Sequence, residues 1–289
     1  MKPSASHYTG DQVKACEAVI LELNRILGEY WANIVIVGGW VPTLLANNED
    51  NPHKGTLDVD IALNHLLIPE ESYEKIHALL VKHGYEQNTA RKAVQFQYFR
   101  KITLEKEYTV TVDLLTGQYD VETGKKRRHE PIQDVMALKA RGVDLVFERF
   151  ETVVITGELP NKGGQHSAEC KVASASPVIV MKCSAMAGRY EDKDPYDLYY
   201  FIRYYRGKGV PAILEAIKPD LHHGLMKEAV ERMRKFFKSP DESGPSQVAR
   251  FLEVQDDEEQ AATIRQEVYQ TINELLEGID KINAEGTKS

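Results

Sequence analysis

A chain of 289 residues, 42% hydrophobic and 28% charged, is long enough for one large domain or two modest ones with a sizeable core. A formal net charge of -8 argues against a protein that coats nucleic acid nonspecifically, while leaving room for a local basic groove. Three widely spaced cysteines, Cys16, Cys170 and Cys183, suggest neither a disulfide framework nor a zinc site; with no apolar run of about 18 residues and no apolar signal region in MKPSASHYTGDQ, a cytoplasmic protein with reduced thiols is expected.

Residues 11–30 place Val13, Cys16, Ile20, Leu23 and Leu27 three and four apart, which predicts an amphipathic helix. IVIV at 34–37 is a β-branched run expected of a buried strand. Gly38-Gly39 follows, and WVPTLLAN then starts a helix that tolerates Pro42 only in its first turn. NNEDNPHKG, 47–55, reads as an exposed loop feeding a strand from Leu57.

A helix is expected over 70–83 and strands over 96–102 and 107–116. In the last of these Val110, Val112 and Leu114 alternate with Thr109, Thr111 and Asp113, so Asp113 falls on the face away from the core. GKKRRHE, 124–130, reads as a basic loop, more often a solvated turn than an RNA contact. TVVITGEL and AECKVAS add two strands before about residue 174.

Beyond Ser176 the chain becomes helical, with one helix expected over 177–189. Another opens at Asp194-Pro195, with Asp194 as its N-cap, and closes at Gly207. Helical patterns return near 223–238 and 258–283, separated by a loop that includes SPDESGPS, and His222-His223 reads as helix-end polarity. There is no internal repeat.

LDVDIAL, 57–63, aims Asp58 and Asp60 at one face of a strand while Val59 and Ile61 face the other way. If Asp113 joins them, three carboxylates repel one another unless a cation compensates, and hard oxygen ligands suit Mg²⁺ or Mn²⁺. Gly38 and Gly39, lacking β-carbons, let the backbone approach a polyphosphate. Metal and phosphate together point to two-metal phosphoryl transfer, in which an attacking hydroxyl displaces pyrophosphate.

VGGW, then LDVDIAL, then VDLL resembles the polymerase-beta type of nucleotidyltransferase superfamily. More narrowly, VIVMKCSAMAGRYEDKDPYDLYYFI at 178–202 resembles two helices of AbiEii-type toxins of type IV toxin–antitoxin systems. The resemblance covers roughly residues 30–205 and implies an α+β fold, a mixed sheet flanked by helices. Residues 1–175 would form the catalytic domain and 176–289 a helical portion closing the cleft.

It further implies metal ligation by Asp58, Asp60 and Asp113, with Asp113 as candidate base, and nucleotide phosphates at Gly38 and Gly39. Lys182 and Arg189 would meet phosphate or transition-state charge, positioned by Asp197 and Asp194. The implied partners are an NTP, an RNA acceptor, tRNA in particular, and an antitoxin protein, with no membrane. A small-molecule hydroxyl is the enzymatic alternative, and a noncatalytic binding module of the same fold comes from a different class.

On the residues alone, Gly38-Gly39 also fits a plain strand end, Lys182 a salt-bridge partner of Asp197, and Asp194 a helix cap. Trp40 and the tyrosines of YDLYYFIRYY read as core rather than base-stacking residues.

Overall fold

The computed structural model describes residues 4–46, 48–64, 67–68, 70–91, 94–117, 130–132 and 135–286. The chain forms two compact units. One is made of Thr9–Trp40 and Gly55–Ser174, the other of the chain up to Tyr8, Val41–Lys54 and everything from Ala175 onward. The second unit therefore takes in 41–54, a stretch expected within the catalytic domain. Among the described residues no helix is long and apolar enough to cross a membrane.

The first unit opens with α1 (Gly10–Leu27), capped by Thr9, whose hydroxyl accepts from the Gln12 N–H. Then come β1 (Ile34–Val37), the short α2 (Trp40–Leu45) that carries the chain into the second unit, and β2 (Asp58–Leu63). After α3 (Glu70–Lys82) follow β3 (Tyr85–Gln87), β4 (Gln97–Thr103) and β5 (Glu107–Thr116). The unit ends with β6 (Glu130–Ile132), β7 (Val135–Lys139), α4 (Val143–Val146), β8 (Phe150–Glu158) and β9 (Gln165–Ala173).

Among the described residues the sheet runs β3-β4-β5-β2-β1-β9-β8, with β7 beside the end of β5 and β6 beside β7. It is mixed: β1 is antiparallel to β2 and parallel to β9, while β2 is parallel to β5. That makes the unit the α+β structure expected. IVIV is buried at all four positions because β1 has a strand on either side and both of its faces covered.

α1 packs on β2, β5, β8 and β9, burying Ile20, Leu21 and Leu23 completely. Its one buried charge, Glu22, receives Arg100 through Nε and Nη2 at 2.7 and 2.8 Å and the Tyr85 hydroxyl at 2.9 Å. Such a two-pronged pairing is what lets a carboxylate sit inside an apolar layer.

The second unit is helical: α5 (Ala175–Gly188), α6 (Lys193–Tyr204), α7 (Val210–Ile217), α8 (Gly224–Phe236), α9 (Ser243–Phe251) and α10 (Glu258–Gly286). α5 packs against α6, α7 and α8. Its sequence is apolar nearly all round, the pattern of a helix with no solvent face. The segment 41–54 is pinned to the end of α6: the Arg206 N–H donates to the Leu45 carbonyl at 2.8 Å, and the Tyr200 hydroxyl to the Asn51 carbonyl at 2.8 Å.

Three expectations need correcting. SPDESGPS is only partly loop, because α9 begins at Ser243 and places Gly244 and Pro245 in its first turn, where a missing N–H costs nothing. Asp194 is not the N-cap of α6; Asp192 holds that position, and Asp194 lies one residue inside the helix, buried. Finally, 47–55 is not exposed throughout, since the His53 side chain is only 2% accessible.

Candidate functional site

Alternation along β2 gives Asp58 and Asp60 one face of the sheet, and the fully buried Val59 and Ile61 the other. In the parallel ladder Asp60 lies opposite Asp113, and Asp58 opposite Thr111, so Asp113 joins the same face. On the other side of β2, Asp60 pairs with Val37, the last residue of β1. Three segments far apart in sequence thus meet at Asp60.

The chain turns at Gly38 with φ +69°, a conformation that side chains other than glycine resist. A β-carbon there would also overlap the Asp60 carboxylate. Glycine is required twice over, by backbone angle and by a neighbouring acid. Gly38→Ala is expected to lower stability by at least about 1–2 kcal/mol from the left-handed conformation alone, read as a lower urea midpoint at unchanged slope.

Asp58 and Asp113 are each oriented by a neutral donor. The Thr56 hydroxyl donates to Asp58, and the Gln97 side-chain amide donates to Asp113 at 2.9 Å. Gln97 is the ladder partner of Asp113 across β4 and β5, and it accepts in turn from the Asn88 amide at 2.9 Å. Sequence reading missed both: Thr56 stands only two residues before Asp58, a local signal, whereas what Gln97 touches is revealed only by the strand register.

In chemistry the donor set fits a hard divalent cation: three carboxylates on one sheet face, with a close backbone approach at Gly38. As the side chains stand, no group of three His, Cys, Asp or Glu among the described residues is gathered to hold a metal ion. At the end of the Gly-Gly turn Trp40 is buried as expected. Among the described residues its indole Nε1 is a buried side-chain donor without an acceptor.

A second charged group lies in the helical unit. Lys182 is the one charged residue of α5, and its ammonium donates to Asp197 at 2.6 Å and Asp194 at 3.2 Å. Positions 194 and 197 are three apart on α6, so both carboxylates face α5. Arg189 grips Asp194 through Nε and Nη2 at 2.8 and 3.0 Å, with its side chain 55% exposed. Lys193 reaches both oxygens of Asp197 at 2.8 and 2.9 Å.

His53 completes the group. Since a carboxylate can only accept, its Nε2–H donates to Asp197 at 3.0 Å, and its Nδ1 accepts from the Thr43 hydroxyl at 2.9 Å. The ring stacks on Tyr196 and meets Tyr200 edge-on. His53 carries no sequence signal, whereas Lys193 stands four residues before Asp197, a spacing that brings opposite charges together on a helix.

Burial works to raise the pKa of Asp197, but Lys182, Lys193 and His53 outweigh it and hold the carboxyl well below its ordinary range. Asp194 is lowered in the same way: burial opposes, and Lys182 with Arg189 prevails. For Lys182 burial works downward, yet Asp197 and Asp194 carry it above the ordinary lysine value. Burial lowers His53 from 6.5 to about 4, against the pull of Asp197. At neutral pH it is a neutral hydrogen-bond donor, not half of an ion pair.

A pH dependence of stability follows. Above pH 6.5 His53 is neutral folded and unfolded; between 6.5 and about 4 the unfolded chain takes up a proton that the folded chain refuses. Stability is fully present above this window and falls through it with decreasing pH, by on the order of 3 kcal/mol. Urea unfolding at pH 8, 6 and 4 checks this, with His53→Gln flattening that part of the profile.

The KKRR run at 125–128 lies outside the described residues. The three cysteines are free and buried, as reduced thiols should be. His223 caps α8 by accepting from the Leu225 N–H, which puts it at a helix end.

No protein-family model matches the chain, and no curated protein matches it. Among solved structures it is similar to an antigenic nucleotidyltransferase-like protein from Paracoccidioides brasiliensis. The likeness has a TM-score of 0.45 and 17% sequence identity, and covers 88% of this chain and 95% of that one.

Proposed function

We propose that this chain is a metal-dependent nucleotidyltransferase that moves NMP from an NTP to an acceptor hydroxyl. RNA, tRNA in particular, is the proposed acceptor, and the proposed role is that of an AbiEii-like toxin. The observation that carries the reading is the meeting at Asp60, with Asp113 on one side and a close-approach glycine turn on the other. A strand that merely faced solvent has no use for this combination.

In the proposed reaction Asp113 accepts the proton of the acceptor hydroxyl, whose oxygen bonds to the α-phosphorus of the NTP. The bond from that phosphorus to the bridging oxygen breaks, and pyrophosphate leaves. Gly38 and Gly39 hold the phosphates through a backbone no β-carbon obstructs. Thr56 and Gln97 keep Asp58 and Asp113 oriented. Mg²⁺ or Mn²⁺, held by Asp58, Asp60 and Asp113, would supply the positive charge that offsets the phosphates and the departing pyrophosphate.

Lys182 and Arg189 enter the reading as cations for phosphate or transition-state charge, with Asp197 and Asp194 positioning them. Of the two, Arg189 is the one solvent reaches, with its side chain 55% exposed, whereas Lys182 is buried with its ammonium on Asp197 and Asp194.

Incubating the purified protein with Mg²⁺, each α-labelled NTP and total RNA tests the reading. Label in tRNA is the expected result. Label only on small hydroxyl compounds would make it a small-molecule transferase. No pyrophosphate release with any acceptor, together with undiminished toxicity of Asp60→Ala in cells, would leave a noncatalytic binding module.

A further inference from the structure

β8 is the last strand of the sheet, and among the described residues β9 alone pairs with it. The register with β9 runs unbroken from Phe150 opposite Ala173 to Glu158 opposite Gln165, without a bulge. α1 covers one face, where Ile155 is buried and Gly157 abuts Glu17 and Leu21. On the other face Phe150, Thr152, Val154, Thr156 and Glu158 are all exposed, Val154 to 68%.

Natural edge strands are blunted by brevity, proline, bulges or charged side chains, because their outward N–H and C=O groups template pairing with any other strand. FETVVITGE runs nine residues without proline, bulge or lysine, and its only charges, Glu151 and Glu158, leave the central TVVIT uncharged. Left bare, such an edge is an aggregation site; its sequence also says what fits it.

We infer that β8 is a homodimer interface, pairing antiparallel with β8 of a second copy about a two-fold axis at Val154. A two-fold axis perpendicular to the sheet keeps each face continuous, so residues of like parity must pair. Centring on Val154 uses the whole strand. Thr152 then faces Thr156 of the partner subunit, Val153 faces the partner's Ile155, and Val154 faces the partner's Val154. These are β-branched and threonine cross-strand pairs of the kind that stabilise sheets.

The charges agree. Glu151 meets the partner's Gly157 and Glu158 meets the partner's Phe150, so no two acids lie opposite each other. Shifting the axis to Val153 would instead leave Gly157 and Glu158 beyond the partner strand's first residue, Phe150, and so shorten the ladder. The core TVVIT is nearly palindromic, which self-pairing uses and a foreign partner would not need. The closed two-fold pairs the two β8 edges with each other, so this contact does not propagate.

Light scattering on the eluting 289-residue chain at about 50 μM should give twice the chain mass of 32.7 kDa. V154K, which sets two lysines face to face at the axis, should return the mass to that of one chain, with unchanged circular dichroism and a cooperative melt. A wild-type mass of one chain, or a V154K protein that stays dimeric, would overturn the inference.

V154C tests the register independently, because the native cysteines are buried. Mild oxidation should link two V154C chains across the axis and leave E158C chains single, since the pairing holds the two copies of position 158 far apart. Equal linking at both positions would also overturn it.

Discussion

Replacing Asp60 by asparagine is expected to cut nucleotide transfer by roughly 10³-fold while the fold survives. A bound metal contributes several kcal/mol of transition-state stabilisation, and each 1.4 kcal/mol is worth about a factor of ten. Asparagine keeps the shape of the side chain and one oxygen but loses the negative charge. That separates ligand charge from packing, which Asp60→Ala does not.

The fold should tolerate the change because Asp60 is half-buried on a face shared with two other carboxylates. Removing one of three like charges relieves repulsion when no cation is present. A melting temperature within about 2–4 °C of wild type is therefore expected. Asp113→Asn should lose activity as severely, since it removes both a proposed ligand and the proposed base. The measurement is initial rate of label transfer and pyrophosphate release beside a melting curve; activity within tenfold of wild type in both variants would move the site away from this face.

How much of this could be read from the chain depends on the range over which each feature is decided. Alternation in LDVDIAL and EYTVTVDLLT is local, and the strands run over Asp58–Leu63 and Glu107–Thr116 with the acids on the expected face. That Asp113 lies opposite Asp60 is a matter of register between distant strands, so on the sequence it rested on resemblance alone. The same holds for Gln97, whose amide matters only because β4 pairs with β5 in one particular alignment.

His53 shows how local composition misleads. NNEDNPHKG has the residues of a solvated loop, yet its histidine is buried by contacts with Asp197 and Tyr196, more than a hundred residues away. Asp194 fails for a related reason. Asp-Pro is a good helix start by itself, but a lysine inside an apolar helix needs compensating charge, and that need placed Asp194 within α6. Punctuation residues mark helix starts reliably only where nothing buried competes for the same side chain.

That competition makes Asp197→Ala the largest expected effect on stability, a loss of about 3–5 kcal/mol, because removing one partner leaves buried charge uncompensated. Asp197 accepts from Lys182, Lys193 and His53 while itself wholly inaccessible. Without it, Lys182 keeps only the longer contact to Asp194, which Arg189 already holds with two hydrogen bonds. Burial would then prevail over the remaining attraction and draw the lysine toward its neutral form. Asp197→Asn should cost less, since it still accepts one hydrogen bond and leaves no cavity. The decisive comparison is Asp197→Ala with Lys182→Met/Asp197→Ala, each by urea unfolding. Removing the stranded ammonium in favour of an apolar chain of similar volume should recover a substantial part of the loss. If the double variant is no more stable than Asp197→Ala alone, uncompensated charge on Lys182 is not the cause, and the penalty belongs to the cavity and to His53 and Lys193.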